Sequence, residues 1–156
     1  MFVMRIDRTR QVQQALIELL AWTRNPDSRY CWPGAGNVKV RNDTIFYYDV
    51  VLPGSREGAP ISIEEHVRPV EQTEDGFEFE SGFLLSWPWS SGEVASGWSS
   101  YRFSESSGAR SLTYSFRYLV PGKTGEQLRH KKRFLPMMES AVDEYLECLV
   151  AGRVSE

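Results

Sequence analysis

The chain has 156 residues, of which 41% are hydrophobic and 25% charged, and its formal net charge is −3. This balance fits one globular domain spanning residues 1–156 and excludes a disordered, collagen-like or disulfide-scaffold chain. It also offers no global basic field for nucleic acid. Aromatic residues, at 13% with 5 Trp, 7 Tyr and 8 Phe, are the one feature that stands out, and their placement along the strands is the main clue to function.

The first ten residues, MFVMRIDRTR, carry charge at Arg5, Asp7 and Arg8 and contain no apolar stretch of the kind a signal peptide needs. No apolar run approaches the roughly 20 residues of a membrane-spanning helix. Cys31 and Cys148 are far apart and match no metal-ligand or CxxC spacing, so the expectation is two reduced thiols in a cytoplasmic protein.

Along the chain, Phe2, Met4 and Ile6 alternate with Val3, Arg5 and Asp7, which predicts a short first strand. Val12, Ala15, Leu16, Leu19 and Leu20 then fall at helical spacing, predicting a helix from Arg10 to Thr23 with Thr9 as N-cap. Asn25-Pro26 starts a turn or short helix that Trp32-Pro33-Gly34 must break. Strand follows strand from there. Val38 to Arg41 meets a turn at Asn42-Asp43, and Thr44 to Leu52 is rich in β-branched and aromatic residues. Ile61, Ile63, Glu65 and Val67 alternate with Ser62, Glu64, His66 and Arg68. Asp75-Gly76 signals a hairpin, after which Phe77, Phe79, Ser81, Phe83 and Leu85 share one face. Turns at Ser90-Ser91-Gly92 and Ser106-Ser107-Gly108 flank a strand from Glu93 to Phe103, and Leu112, Tyr114, Phe116 and Tyr118 alternate cleanly in the next. Beyond Pro121-Gly122, Leu128, Leu135, Met138, Val142, Tyr145, Leu146 and Leu149 mark a long helix that Pro136 kinks or whose regular part it begins, with Gly152 to cap its end.

A meander with one apolar face needs a cover, and the last helix carries the only long apolar stripe. The fold class expected is therefore α+β: a curved antiparallel sheet of about seven strands around a long C-terminal helix, with two short helices after the first strand. The segments MRIDRTRQVQQALIELLAWTRNPDSRYCWPG, GARSLTYSFRYLVPG and LPMMESAVDEYLECLVAG together resemble, across the whole chain, the START-like or Bet v1-like (SRPBCC) superfamily. This superfamily includes polyketide cyclase/dehydrase and lipid-transport proteins. The resemblance implies a helix-grip fold and a deep apolar cavity for a lipid, an isoprenoid or an aromatic polyketide. It carries over no catalytic residue and implies no cofactor.

The candidate cavity wall is Phe79, Phe83, Tyr101, Phe103, Tyr114, Phe116 and Tyr118 on the strands, with Met138 and Val142 on the last helix. Two readings stand for it: a filled core, or a greasy pocket with a few tyrosine hydroxyls for orientation. Glu65 falls on the face of Ile61, Ile63 and Val67. It is either a polar anchor or general acid/base in the cavity, its pKa raised by desolvation or its carboxylate paired with a base such as Arg102 or Arg117, or a residue left in solvent where the strand bulges or ends. With Tyr114 it would serve a cyclase or dehydratase-like reaction. His66 sits opposite the isoleucines and reads as a surface histidine, and Glu64-Glu65-His66 makes no metal site because neighbouring strand residues face opposite ways. No G-x-S-x-G elbow is present, and Gly34-Ala35-Gly36 reads as a plain turn. The basic run Arg129-His130-Lys131-Lys132-Arg133 is a solvated helix face or a contact for anionic headgroups. Asn37 to Lys39 and the loop Pro53 to Pro60 would border the entrance, and Trp87-Pro88-Trp89 forms a packed corner or an aromatic lip. The expected partner is a hydrophobic small molecule; a protein-interaction module with a filled interior is the other non-catalytic reading.

Overall fold

The computed structural model describes residues 2–53, 60–86, 94–120 and 124–152. The order is β1 (Phe2–Val12), α1 (Leu16–Arg24), a 3-10 helix (Pro26–Cys31), β2 (Gly36–Arg41), β3 (Ile45–Val50), β4 (Ile61–Val67), β5 (Glu71–Gln72), β6 (Gly76–Ser86), β7 (Val94–Ser106), β8 (Ala109–Val120) and α2 (Thr124–Ala151). The strands form one antiparallel sheet in the order β1-β8-β7-β6-β4-β3-β2, and the short β5 pairs with β6. This is the expected helix-grip α+β architecture, with β5 bringing the strands to eight. The loop 54–59, the Ser90-Ser91-Gly92 turn and the Trp87-Pro88-Trp89 corner lie outside the described residues.

Turn chemistry sets the register. Asn42 and Asp43 both take positive φ (54° and 59°), as do Ser107 and Gly108 (53° and 80°). Two consecutive left-handed residues make the type I′ turn, whose twist matches that of the strands it joins. Ser107-Gly108 forms such a two-residue loop and sets Ser106 opposite Ala109, whereas the loop begun by Asn42-Asp43 takes in Thr44 as well and sets Arg41 opposite Ile45. Gly76 begins β6 so close to β7 that a Cβ there would run into the carbonyl of Phe103. At the far edge, β2 slips register between Gly36 and Lys39 around the left-handed Asn37 (φ 55°).

With the register set, alternation sorts the side chains. Phe79, Phe83, Leu85, Tyr101, Phe103, Leu112, Tyr114, Phe116 and Tyr118 are buried on the inner face, against Met138, Ala141, Val142, Tyr145, Leu146 and Leu149 of α2. Along β6, the outward Glu80, Leu84 and Ser86 are exposed. Pro136 interrupts the α2 hydrogen-bond ladder, and Gly152 ends the helix with positive φ and an N–H donated to the Leu149 carbonyl at 3.0 Å.

The expected helix from Arg10 to Thr23 is corrected at its start. β1 continues to Val12 because residues 8–12 pair with β8, Thr9 opposite Thr113 and Val12 opposite Arg110. Helix α1 begins only at Leu16, with Ala15 as an N-cap that supplies no side-chain hydrogen bond. Full interstrand pairing outweighs a weak helical periodicity that only Val12 and Ala15 extended backwards. The 3-10 helix starts as the Asn25-Pro26 signal implies, the Asn25 side chain accepting from the Asp27 N–H at 3.0 Å.

A second correction concerns the cysteines. Cys31 and Cys148 are joined in a disulfide between the 3-10 helix and α2, their Cα atoms 5.3 Å apart, rather than standing as two reduced thiols. The fold brings together positions separated by 117 residues.

Candidate functional site

Between the sheet and α2 the interior divides into a polar cluster and an apolar cleft. The polar cluster is built on Glu65, which points inward from the middle of β4 and is fully buried. Arg29, equally buried on the 3-10 helix, grips both carboxylate oxygens, with Nε donating to Oε1 at 2.7 Å and Nη2 to Oε2 at 2.8 Å. The Arg29 Nη1 donates to the Thr23 carbonyl at 2.6 Å and to Ser28 Oγ at 2.7 Å. Tyr48 on β3 donates its hydroxyl to Glu65 Oε1 at 2.7 Å. A bidentate, hydrogen-bonded pair is the form in which two charges persist away from water.

Protonation states follow from this geometry. Burial pushes the Glu65 carboxyl up. The adjacent guanidinium and the hydrogen bonds from Arg29 and Tyr48 outweigh that push and leave it below the usual carboxylate range. Burial raises Tyr48 well above a normal phenol, and the Glu65 charge adds to it. Tyr101, Tyr114 and Tyr145 are likewise raised, chiefly by burial. The Tyr101 and Tyr145 hydroxyls meet at 2.7 Å, and Ser99 lies beside Tyr114. At neutral pH the cluster thus holds an ionised carboxylate with both oxygens engaged and phenols that keep their protons. None of these groups is poised near pH 7 for proton transfer.

The expected partners of Glu65 are corrected accordingly. Arg102 and Arg117 belong to the outer face: Arg102 lies 3.6 Å from Asp75, and Arg117 stacks over Trp98 at 4.9 Å. The bulge that would carry Glu65 into solvent does not form, because β4 stays in register with β3 and β6 through this position. Its neighbour His66 is exposed, 2.7 Å from Glu64. Among the described residues no group of His, Cys, Asp or Glu is arranged to hold a metal ion.

The apolar cleft lies beside this cluster. Trp32, Val50, Leu52, Ile61, Ile63, Phe83, Leu85, Phe116, Met138 and Ala141 line it, and its volume is about 20 Å³. That is room for one water-sized body, against the several hundred Å³ of a small-molecule pocket. Beside the cleft, the aromatic residues of the expected wall pack on one another. Phe79 stacks on Tyr101 at 4.6 Å, and Tyr114 meets Tyr101 edge-on at 5.0 Å. Of the expected wall, Phe83, Phe116 and Met138 border the cleft. Phe79, Tyr101, Phe103, Tyr114, Tyr118 and Val142 are buried in the packed remainder.

Three residues that the sequence does not single out complete the site. Arg29 falls within the turn or short helix begun at Asn25-Pro26 and carries no pattern that marks it. Trp32 reads as a helix breaker, yet it stacks flat on Tyr145 at 4.0 Å and 1° and forms one wall of the cleft. Tyr48 is one aromatic in a β-rich stretch. The signal that could have found two of them is position: Arg29, Cys31 and Trp32 all sit on or just after one short helix ended by Pro33. Of the basic run, Arg129, Lys132 and Arg133 are exposed on α2. No helix among the described residues is long and apolar enough to cross a membrane.

No protein-family model and no curated protein sequence matches the chain. Solved structures do. A conserved protein from Geobacillus kaustophilus superposes with a TM-score of 0.71 at 9% identity, covering 95% of this chain and 93% of its own. The di-domain ARO/CYC StfQ of the steffimycin biosynthetic pathway gives 0.63 at 12% identity, covering 96% of this chain and 50% of StfQ. Ara h 8.0201 gives 0.51 at 9% identity, with 94% and 99% covered. At such identities the likeness is one of fold, consistent with the Bet v1-like helix grip.

Proposed function

We propose that this chain binds a compact hydrophobic molecule between its sheet and α2, without chemistry on it. One observation carries the reading: all ten residues that line the cleft are apolar. The Arg29–Glu65 pair of the inner cluster is locked on itself. An enzyme of the cyclase type needs titratable groups converging on the guest. Here Glu65 has no proton to give and no free oxygen with which to take one. The likeness in fold to StfQ and Ara h 8.0201 supports a grip on a hydrophobic guest and leaves its identity open.

Admission requires the cleft to widen, and its roof is built for that. Met138 and Ala141 lie just past Pro136, where the α2 backbone loses a hydrogen bond and is easiest to bend. Two substitutions with opposite expected signs test the reading, using anilinonaphthalene sulfonate fluorescence as the probe. Ala141→Leu fills the cleft from the roof and weakens binding roughly tenfold, while Ile63→Ala enlarges it from the floor and strengthens binding. Circular dichroism verifies that both variants fold. With all three proteins assayed both oxidised and reduced by dithiothreitol, equal binding by wild type and both variants, or no binding by any of the three in either state, would remove the proposal.

A further inference from the structure

The disulfide lies where it can govern that cleft. Three closely spaced anchors leave the 3-10 helix and the residue after it. Arg29 reaches the sheet through Glu65, Cys31 is bonded to Cys148 of α2, and Trp32 stacks on Tyr145 of α2. On α2, Ala141, Tyr145 and Cys148 succeed one another at spacings of four and three, so they share one helix face. The cleft roof, the stacked ring and the sulfur thus lie in line along that face, and Trp32, next to Cys31 in the chain, is the facing wall.

The other flank of α2 is held by different chemistry. From β1, Arg8 Nε donates to Asp143 Oδ1 at 2.9 Å and Nη2 to Glu139 Oε2 at 2.9 Å, while Arg10 reaches Asp143 at 2.8 Å and Glu147 at 3.1 Å. Breaking the disulfide leaves this ladder and the Arg29–Glu65 pair intact. It loosens the join between the 3-10 helix and α2, which the Trp32–Tyr145 stack still bridges, and these are the two elements that must part for the cleft to widen.

We propose that the Cys31–Cys148 disulfide is a redox latch on the cleft: the oxidised chain holds it shut, and the reduced chain admits a hydrophobic guest. The inference rests on the proposed binding of a hydrophobic guest and adds its regulation. The reductant is a small dithiol. Its thiolate attacks the sulfur of Cys148, which is half-buried where Cys31 is buried, and Cys31 leaves as a thiolate and takes up a proton. The second thiol of the reductant then displaces Cys148, so two electrons and two protons yield two protein thiols and one oxidised reductant. A closed state that must open before binding lowers the apparent affinity by the fraction of open molecules, which is the quantity the latch sets.

The test compares oxidised protein, dithiothreitol-reduced protein and Cys148→Ser. Thiol alkylation first establishes that wild type purified without reductant carries no free thiol; two reactive thiols there would overturn the latch outright. Anilinonaphthalene sulfonate titration is expected to show roughly tenfold tighter binding to the reduced form. Cys148→Ser should bind like the reduced form whether or not dithiothreitol is present. Equal affinity in both redox states overturns the latch and leaves the binding proposal standing. Absence of binding in both states removes the binding proposal, and amide hydrogen exchange then judges the latch on its own. Faster exchange in residues 26–35 and 141–150 on reduction, with β1 and β8 unchanged, supports it, and unchanged exchange in those segments refutes it.

Discussion

Replacing Glu65 by glutamine removes one charge and almost no volume, so it isolates what the buried pair does. Glu65 supplies two of the four hydrogen bonds that Arg29 makes, at 2.7 and 2.8 Å; the Thr23 carbonyl and Ser28 Oγ supply the others. Glutamine keeps one acceptor oxygen but turns an N–H₂ toward a guanidinium that can only donate. The cation then stays buried without a counter-charge, a situation that costs about 3–5 kcal/mol. For 156 residues, an unfolding entropy of about 0.33 kcal/mol/K turns that cost into a drop in Tm of about 9–15 °C. Urea unfolding followed by circular dichroism measures the free energy directly. The double variant Arg29→Met with Glu65→Leu removes both charges together and should recover most of the loss. A loss below about 1 kcal/mol for Glu65→Gln, or a double variant no more stable than the single, would show that Arg29 and Glu65 are not a buried, mutually dependent unit.

The same pair sets a pH dependence. Glu65 is held below its unfolded pKa, so its contribution is complete above that value, near 4.5, and is lost as pH falls through the folded value. Wild-type stability should therefore decline below about pH 5 more steeply than that of the Arg29→Met, Glu65→Leu variant, as read from urea midpoints across acid pH; parallel curves would contradict this. On the other flank, Asp143→Ala removes ion pairs to Arg8 and Arg10, whose side chains are 27% and 23% exposed against 42% for Asp143. Partial exposure and screening limit the loss to about 1 kcal/mol at low salt, and it should shrink at about 0.5 M NaCl, which urea melts at two salt concentrations will check.

Alternation and turn chemistry make β6, β7 and β8 legible in the sequence. Their inner residues repeat every second position, and Ser107-Gly108 joins β7 to β8 through a turn that few residue pairs adopt. The start of α1 is not legible, because Arg8 and Arg10 place charges on the inner face of β1 and interrupt its apolar alternation. Their partners, Glu139, Asp143 and Glu147, stand more than 130 residues away on α2. Glu65 illustrates the same limit at shorter range. Its inward face can be read from the isoleucines beside it, but Arg29, 36 residues earlier, has no periodicity that marks it as buried. The disulfide depends on how a 3-10 helix docks on α2, which no local pattern encodes. Filling of the interior is hidden for a further reason: an alternating aromatic face looks the same whether its rings line a void or close it.

The edge strand β2 has a consequence for how these molecules behave beside one another. A sheet ends in a row of unpaired amides and carbonyls, an invitation to any passing strand. Here the slip between Gly36 and Lys39 breaks the even spacing a second chain would need, and Lys39, Val40 and Arg41 stand exposed at the outermost strand. Two such edges brought together would meet charge with like charge across a ladder out of step. The rim at β2 is thereby built against edge-to-edge pairing between copies of this chain.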